Sequence, residues 1–371
     1  MQSQVSSPRD GLMRRLGRAL TTPFDPEDYL ALFDARHSAR EIRARVARVR
    51  RETEQAVTLE LAPNRLWKPH RAGQYVMLGV DIDGVRRQRC FSLSSAPHDP
   101  VLTVTVKANG SGGVSDHLVH RCRAGDLLTL SPAVGDFVLP DPAPERILLL
   151  SAGSGVTPVH SIVKSWLSSG QTGRLVWRHF ERNYSSLLLG ESLRELALDD
   201  RLDFRLVLSA ETPRAGDLAG RLDEHWLTKN GLTKNGLAEP SNGDPAGAVF
   251  ACGPQGFLDT VIDWHQRHGS GPLFHERFQT TPAGGGEGGR MRFARSGGEA
   301  PADAGQSLLE AAEAAGLSPR HGCRMGICHT CKCRVARGRV RDLQNGESRE
   351  VVDQEIRLCV HGADGDVELD L

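Results

Sequence analysis

Hydrophobic and polar positions change rhythm several times along this chain, and each change marks a different kind of element. From residue 41 to about 140, apolar positions come in short strand-like runs at 43–49, 56–61, 74–78, 90–93, 102–107 and 127–130. Turn signals such as Asp83-Gly84 and Asn109-Gly110 separate them, which predicts a small antiparallel barrel. From about 146 to 278, more continuous apolar runs at 147–151, 175–180, 204–208 and 249–252 alternate with helical stretches. That alternation predicts a parallel α/β sheet. Ahead of both, Leu12, Met13, Leu16 and Leu20 recur at helical spacing while Arg14, Arg15 and Arg18 point elsewhere. This is a basic amphipathic leader, for which packing on its own protein is the commoner fate and an anionic membrane surface the other. The expected divisions are a leader at 1–40, the barrel at 41–142, the α/β unit at 143–278, a glycine-rich linker at 279–290 and a last domain at 291–371. A Leu-Thr-Lys-Asn-Gly segment at 227–231 is repeated at 232–236 and reads as a duplicated surface loop.

Composition adds limits. The 371 residues are 39% hydrophobic and 25% charged, which suits two or three folded domains. Forty-six basic residues balance forty-six acidic ones, so the net field gives no reason to expect nucleic acid. No apolar run approaches the ~20 residues of a membrane span, and no apolar signal segment opens the chain. The expected setting is the reducing cytoplasm, with the leader allowing peripheral contact at the inner face of a membrane.

Four of the eight cysteines form a pattern: Cys323, Cys328 and Cys331 in the order C-x4-C-x2-C, with Cys359 further on. This is the spacing of a plant-type [2Fe-2S] cluster, in which two irons bridged by sulfides take four thiolates. A tight loop can aim three sulfurs inward only if residues such as Gly322 and Gly326 turn the backbone. Zinc sites usually carry two close Cys/His pairs, and core cysteines do not crowd one loop, so both alternatives fit less well. The segment from Gly305 to Gly316, followed by Cys323-Arg-Met-Gly-Ile-Cys-His-Thr-Cys331, resembles the helix and cluster loop of plant-type ferredoxins over the last eighty or so residues. The resemblance implies a β-grasp domain. His329 departs from it, standing where that family more often has serine or glycine.

Arg89, Phe91 and Ser92 close one barrel run, and Gly112, Gly113, Val114 and Ser115 open a short helix after another. A dinucleotide pyrophosphate needs cations and backbone N–H donors, and a flavin ring needs a flat apolar surface with a hydrogen bond near N5. By themselves these residues equally suit an edge-strand arginine beside a core phenylalanine. Their order, followed by Lys107 and Gly135-Asp-Phe137, resembles the flavin domain of the ferredoxin–NADP reductase superfamily over about 41–278. That resemblance implies pyrophosphate at Arg89 and the Gly112 turn, and flavin against Phe91 and Ser92. FAD is favoured, with FMN the alternative.

Ile147-Leu-Leu-Leu-Ser-Ala-Gly-Ser-Gly-Val-Thr-Pro158 reads as a buried strand turning into a helix over Gly153 and Gly155. It lacks the third glycine of the usual dinucleotide fingerprint, with Thr157 and Pro158 there instead. Together with Cys252, Gly253 and Pro254, it resembles the nicotinamide half of the same superfamily, and Glu276 and Phe278 match an element near the flavin. The resemblance implies that Ser92, Cys252 and Glu276 surround the hydride transfer. Glu181 favours NADH, whereas Arg182, Arg214 and Arg221 favour NADPH; the balance is put at NADPH.

A hydride carries two electrons and the cluster takes one, so a flavin between them is the required converter. The expected activity is therefore NAD(P)H-dependent electron transfer through FAD to [2Fe-2S] and on to a partner protein. The leader, with Thr21-Thr-Pro-Phe-Asp-Pro-Glu-Asp-Tyr29, and the cluster loop most resemble reductase partners of membrane fatty-acyl desaturases. The alternative acceptor is a soluble multicomponent, ring-hydroxylating oxygenase, and a third reading is a redox-sensing module without turnover.

Overall fold

The computed structural model describes residues 34–110, 112–229, 247–269, 271–278, 287–322, 326, 330–343 and 346–371. Residues 1–33 of the leader, the 279–286 part of the linker and all but the start of the Leu-Thr-Lys-Asn-Gly repeat lie outside these residues. So do Cys323 and Cys328.

The first unit is a six-stranded antiparallel sheet of β1 (Ile42–Thr53), β2 (Ala56–Pro63), β3 (Tyr75–Ile82), β4 (Val85–Ser92), β5 (Leu102–Lys107) and β6 (Leu127–Leu130), ordered β4-β3-β6-β1-β2-β5. Its outer strands meet through a bridge between Leu93 and Val104, which closes the sheet on itself. The β3–β4 hairpin turns at Asp83 and Gly84, both at positive φ (51° and 76°), as the Asp-Gly signal predicts. Inward residues such as Val46, Leu59, Leu78 and Val104 are fully buried, and the short helix α1 (Val114–His120) adds Leu118 to that core.

The second unit is a parallel sheet of β7 (Arg146–Ala152), β8 (Arg174–Glu181), β9 (Leu202–Leu208), β10 (Leu218–Ala219), β11 (Ala248–Cys252) and β12 (Leu273–Glu276), ordered β10-β9-β8-β7-β11-β12. The two-residue β10 and the mixed-polarity β12 are too short to show as apolar runs, and neither was expected from the sequence. Helices α2 (Val156–Ser168), α3 (Gly190–Leu196), α4 (Glu224–Lys229) and α5 (Gln255–His268) complete it. Strand order reverses at β7, and in open parallel sheets ligands settle beyond the carboxyl ends of the strands at that reversal.

A polar seam joins these two units. From α2, His160 Nδ1 donates to Ser94 O at 2.8 Å, Ser161 Oγ donates to Ser95 O at 2.6 Å, and Lys164 pairs with Asp99 at 2.6 Å. The hydroxyl of Ser192 in α3 meets His160 Nε2 at 2.7 Å. Ala56, Ala72 and Phe137 from the barrel side share one apolar cluster with Ile162 and Trp166. His160 and, within the α/β unit, His179 are both buried, and desolvation pushes each from 6.5 down to about 4. Unfolded, these imidazoles protonate near 6.5, so below that pH the unfolded chain takes up protons that the folded one refuses. Stability is therefore full above 6.5 and expected to fall by about 2 kcal/mol per histidine by pH 5. Urea unfolding between pH 7.5 and 5 measures this, and His160→Gln should flatten the slope. A midpoint that holds steady in the parent protein would contradict it.

The last unit is a five-stranded sheet of β13 (Gly289–Phe293), β14 (Glu299–Ala302), β15 (Lys332–Asp342), β16 (Ser348–Arg357) and β17 (His361–Leu369), ordered β14-β13-β17-β15-β16. Only β13 and β17 pair in parallel; the other pairs are antiparallel. Helix α6 (Leu308–Ala314) starts with a capping box between Ser307 and Glu310 and buries Leu308, Leu309, Ala311 and Ala312 against the sheet. This mixed sheet grasping one helix is the β-grasp domain that the resemblance to plant-type ferredoxins implies.

Candidate functional site

The nucleotide candidates gather where β7 and β11 end. Gly153 takes φ +54° at the turn. Gly155 has helical backbone angles but lies so close to β11 that a Cβ would stand 2.1 Å from the carbonyl oxygen of Cys252. Gly253 is less tightly crowded and by side chains, with Phe257 Cδ1 2.8 Å from its would-be Cβ. The glycines therefore exist for close packing of two chain segments as much as for the turn itself. Thr157 is buried with its hydroxyl donating to Ser154 O at 3.0 Å, and Pro158 sits in the first turn of α2, where a missing N–H costs nothing. Pro254 caps the start of α5.

Strand register sets Ser151, Cys252 and Glu276 side by side at the carboxyl edge of the sheet. Across from them, Ser92 at the end of β4 points its hydroxyl at Glu276 Oε2, 3.5 Å away. Part of Glu276 reaches solvent, but its carboxyl lies among protein atoms, and this burial pushes it from 4.5 up to about 8. The Cys252 thiol, fully buried, is pushed well above its ordinary value by desolvation first and by Glu276 second. At neutral pH both groups carry their protons, so the row presents neutral donors rather than charges. Cys252 is not a nucleophile in this setting.

Strand alternation separates the flavin candidates. Phe91 packs against the barrel core, while Ser92 faces Glu276. Arg89 is half-buried and reaches the carbonyl of Gln88 at 3.0 Å. Lys107 ends β5 at the edge of the main cleft. Gly112 takes φ +70° with open space around it, Gly113 is the extended residue before α1, and Val114 is buried. Ser115 Oγ donates to Asn109 Oδ1 at 3.1 Å, and no side chain caps the first turn. Phe278 is half-buried against the α/β core.

Between the barrel edge (Thr53, Gln55, Lys107) and the sheet edge (Gly153, Glu181, Pro254) opens a cleft of about 1020 Å³, room for a dinucleotide. Sequence reasoning missed Phe257 and Ser186 on its wall; the first lies in the opening turn of α5 and the second in a short 3-10 turn after β8, and neither carries a local signal. Glu181 is buried there, with Oε1 accepting from Arg182 N at 3.0 Å and Ser186 Oγ at 2.9 Å, and Oε2 unpaired. Arg182 and Arg221 line the same cleft, whereas Arg214 stacks over Tyr184 at 4.1 Å.

In the last unit, Cys331 precedes β15 and Cys359 lies between β16 and β17, both buried. Their sulfurs are 3.2 Å apart, far beyond a disulfide bond. Two thiolates about 2.3 Å from one tetrahedral metal ion lie about 3.8 Å apart, so a small opening would let the pair share an iron. The backbone N–H of Gly326 points at Cys359 Sγ at 3.2 Å. The donor set fits an iron–sulfur group.

The comparisons agree with this layout. Residues 149–263 match the oxidoreductase NAD-binding domain, and residues 292–362 match the 2Fe-2S iron-sulfur cluster binding domain. An NADPH oxidoreductase of Mycobacterium tuberculosis is 39% identical over 368 residues, covering 97% of this chain and 92% of its own. The chain belongs to the ferredoxin–NADP reductase-like flavoreductases that carry a C-terminal [2Fe-2S] domain. A second relative of this flavoreductase is the ferredoxin reductase component of 3-ketosteroid-9-alpha-monooxygenase from the same species, 31% identical over 308 residues, with 76% of this chain and 78% of its own covered. Phthalate dioxygenase reductase shares the fold, with a TM-score of 0.62 over 90% of this chain and 98% of its own at 22% identity. The flavoreductase is thus an NAD(P)H-dependent electron-transfer oxidoreductase using FAD and [2Fe-2S]. Among the described residues no helix is long and apolar enough to cross a membrane.

Proposed function

We propose that this flavoreductase draws hydride from NADPH and delivers single electrons to a separate oxygenase. The observation that carries the reading is the row Ser151, Cys252 and Glu276, met by Ser92 from the barrel, at a sheet edge whose next residues Ala152, Gly153 and Pro254 line a dinucleotide-sized cleft. Bound FAD would supply the two-electron to one-electron conversion. Arg89 and the N–H groups of Gly112, Gly113, Val114 and Ser115 would hold its pyrophosphate, with Lys107 adding charge. Phe91 and Ser92 would flank its ring. Gly153, Gly155, Thr157, Pro158, Gly253 and Pro254 shape the floor on which the nicotinamide rests, and Phe278 supports it from the core. Cys252 and Glu276, both protonated at neutral pH, confine the transfer without placing a competing negative charge near it. Cys323, Cys328, Cys331 and Cys359 would hold the cluster.

NADPH is preferred over NADH because Arg182 and Arg221 face the cleft while one oxygen of Glu181 is already occupied by Arg182 N and Ser186 Oγ. An oxygenase acceptor draws support from the monooxygenase reductase relative. The reading of a membrane desaturase as acceptor rests on the resemblance of the leader and cluster loop. Anaerobic titration of the holoprotein with NADPH and NADH tests the donor side: flavin bleaching should precede a rhombic [2Fe-2S] EPR signal, faster with NADPH. Reduction of neither centre would end the reading. Acceptor turnover restored by a membrane fraction, and not by a soluble oxygenase fraction, would replace the oxygenase with a membrane desaturase.

A further inference from the structure

Outside the nucleotide cleft, one arrangement ties a fixed charge to a candidate cluster ligand. Arg357 closes β16 two residues before Cys359, and its guanidinium Nη1 donates to the carbonyl oxygen of Gly326. The N–H of that same Gly326 points at Cys359 Sγ, 3.2 Å away. Gly326 takes φ +75°, and a Cβ on it would stand 2.8 Å from Val360 Cγ1, so the loop can lie this close to the 359–360 segment only as glycine. The main chain of Arg357 is held too, its carbonyl accepting from Val360 N at 3.2 Å and from His361 Nδ1 at 3.0 Å. Leu358, between the two, donates its N–H to the carbonyl of Cys331 at 3.1 Å. The side chain of Arg357 and the backbone around it therefore link Cys331, Cys359 and Gly326 into one hydrogen-bonded unit.

An N–H aimed at a ligand sulfur and a cation nearby both favour the state with the extra electron, because each offsets added negative charge. We propose that Arg357 is a positioning residue for the iron–sulfur centre: it locks the Gly326 peptide so that its N–H faces Cys359, and together with its own charge this raises the cluster's reduction potential. The inference rests on Cys331 and Cys359 being ligands. Its consequence is for traffic, since a higher cluster potential draws the electron off the flavin and leaves less of it there.

The test uses the holoprotein and its Arg357→Gln and Arg357→Lys variants, with iron content, potentiometric titration and EPR as readouts. Glutamine removes the charge and shortens the reach to Gly326. It is expected to shift the flavin–cluster electron partition about tenfold toward the flavin, which for one electron is about 59 mV in the cluster's potential. Lysine restores the charge without the planar fork, so its shift should be smaller and in the same direction. The flavin potential and ferricyanide reduction, which need only the flavin, should not move. If the glutamine variant loses iron, the lysine variant decides alone. A cluster in the lysine variant with parental potential and EPR line shape overturns the proposal. A parent protein lacking any [2Fe-2S] signal would instead overturn the ligand assignment beneath it.

Discussion

Replacing Cys359 by serine is expected to abolish the [2Fe-2S] absorbance and EPR signal while leaving flavin reduction intact. Cys359 is buried, its sulfur lies 3.2 Å from that of Cys331, and it receives the Gly326 N–H. A serine oxygen is a harder ligand with a far higher pKa, so it binds iron poorly where a thiolate binds well. Losing one of four ligands should lower cytochrome c reduction by about 100-fold or more. The nucleotide and flavin candidates sit on other sheets, so NAD(P)H–ferricyanide activity should stay within about twofold of the parent. A serine variant that kept its full iron content and cytochrome c activity would remove Cys359 from the ligand set.

Gly155→Ala should be the most damaging single methyl in the nucleotide half. The backbone angles at this position suit alanine, so conformational strain is not the reason. What stands in the way is backbone: the added Cβ would meet the carbonyl oxygen of Cys252 at 2.1 Å, its carbon at 2.5 Å and Gly253 N at 2.9 Å. No rotamer change relieves such contacts, and β11 is itself pinned between β7 and β12. Separating the turn from β11 should cost about 3 kcal/mol or more. Nicotinamide binding should weaken at least about tenfold, because the floor of the cleft moves with the turn. Gly256→Ala, in the first turn of α5 with nothing within 4 Å of the new methyl, is the matched control for stability, though not for binding because it lines the cleft, and should stabilise by about 0.5–1 kcal/mol. Thermal melting of both variants and nucleotide titration of Gly155→Ala decide it; a Gly155→Ala protein that melts and binds like the parent would show that the two segments can part freely.

Much of this was legible before any coordinates. The Asp83-Gly84 turn, the strand-to-helix junction at Gly153 and Gly155, and the cysteine spacing each follow from a local rule, and local rules are what a sequence displays. The pairing of β12 with β11 was hidden because Leu273, Phe274, His275 and Glu276 form too short and too mixed a run to announce a strand. The same applies to the meeting of Ser92 with Glu276, 184 positions apart, and to the burial that keeps Glu276 protonated. The resemblance to known reductases suggested that these residues gather near one place. Alternation along a strand puts Ser92 and Phe91, one step apart, on opposite faces, but it could not say which of the two would meet Glu276. The seam at His160 had no sequence signal, since Ser94 and Ser95 offer main-chain carbonyls, which every residue possesses, and its side-chain partners Ser192 and Asp99 lie far from α2 along the chain.

The register that aligns Ser151, Cys252 and Glu276 also divides the chain into parts that can and cannot change length. Side chains along a strand alternate between faces, so one residue inserted or deleted inside β11 would turn Cys252 away from its neighbours and send a core side chain into its place. One residue added beyond the strand ends alters only the rim of the cleft. Grafting a different nucleotide preference onto this scaffold should therefore succeed through the segments after Glu181 and Gly220, which line the cleft beyond the strand ends, and fail through any edit that changes the count between Ala248 and Cys252.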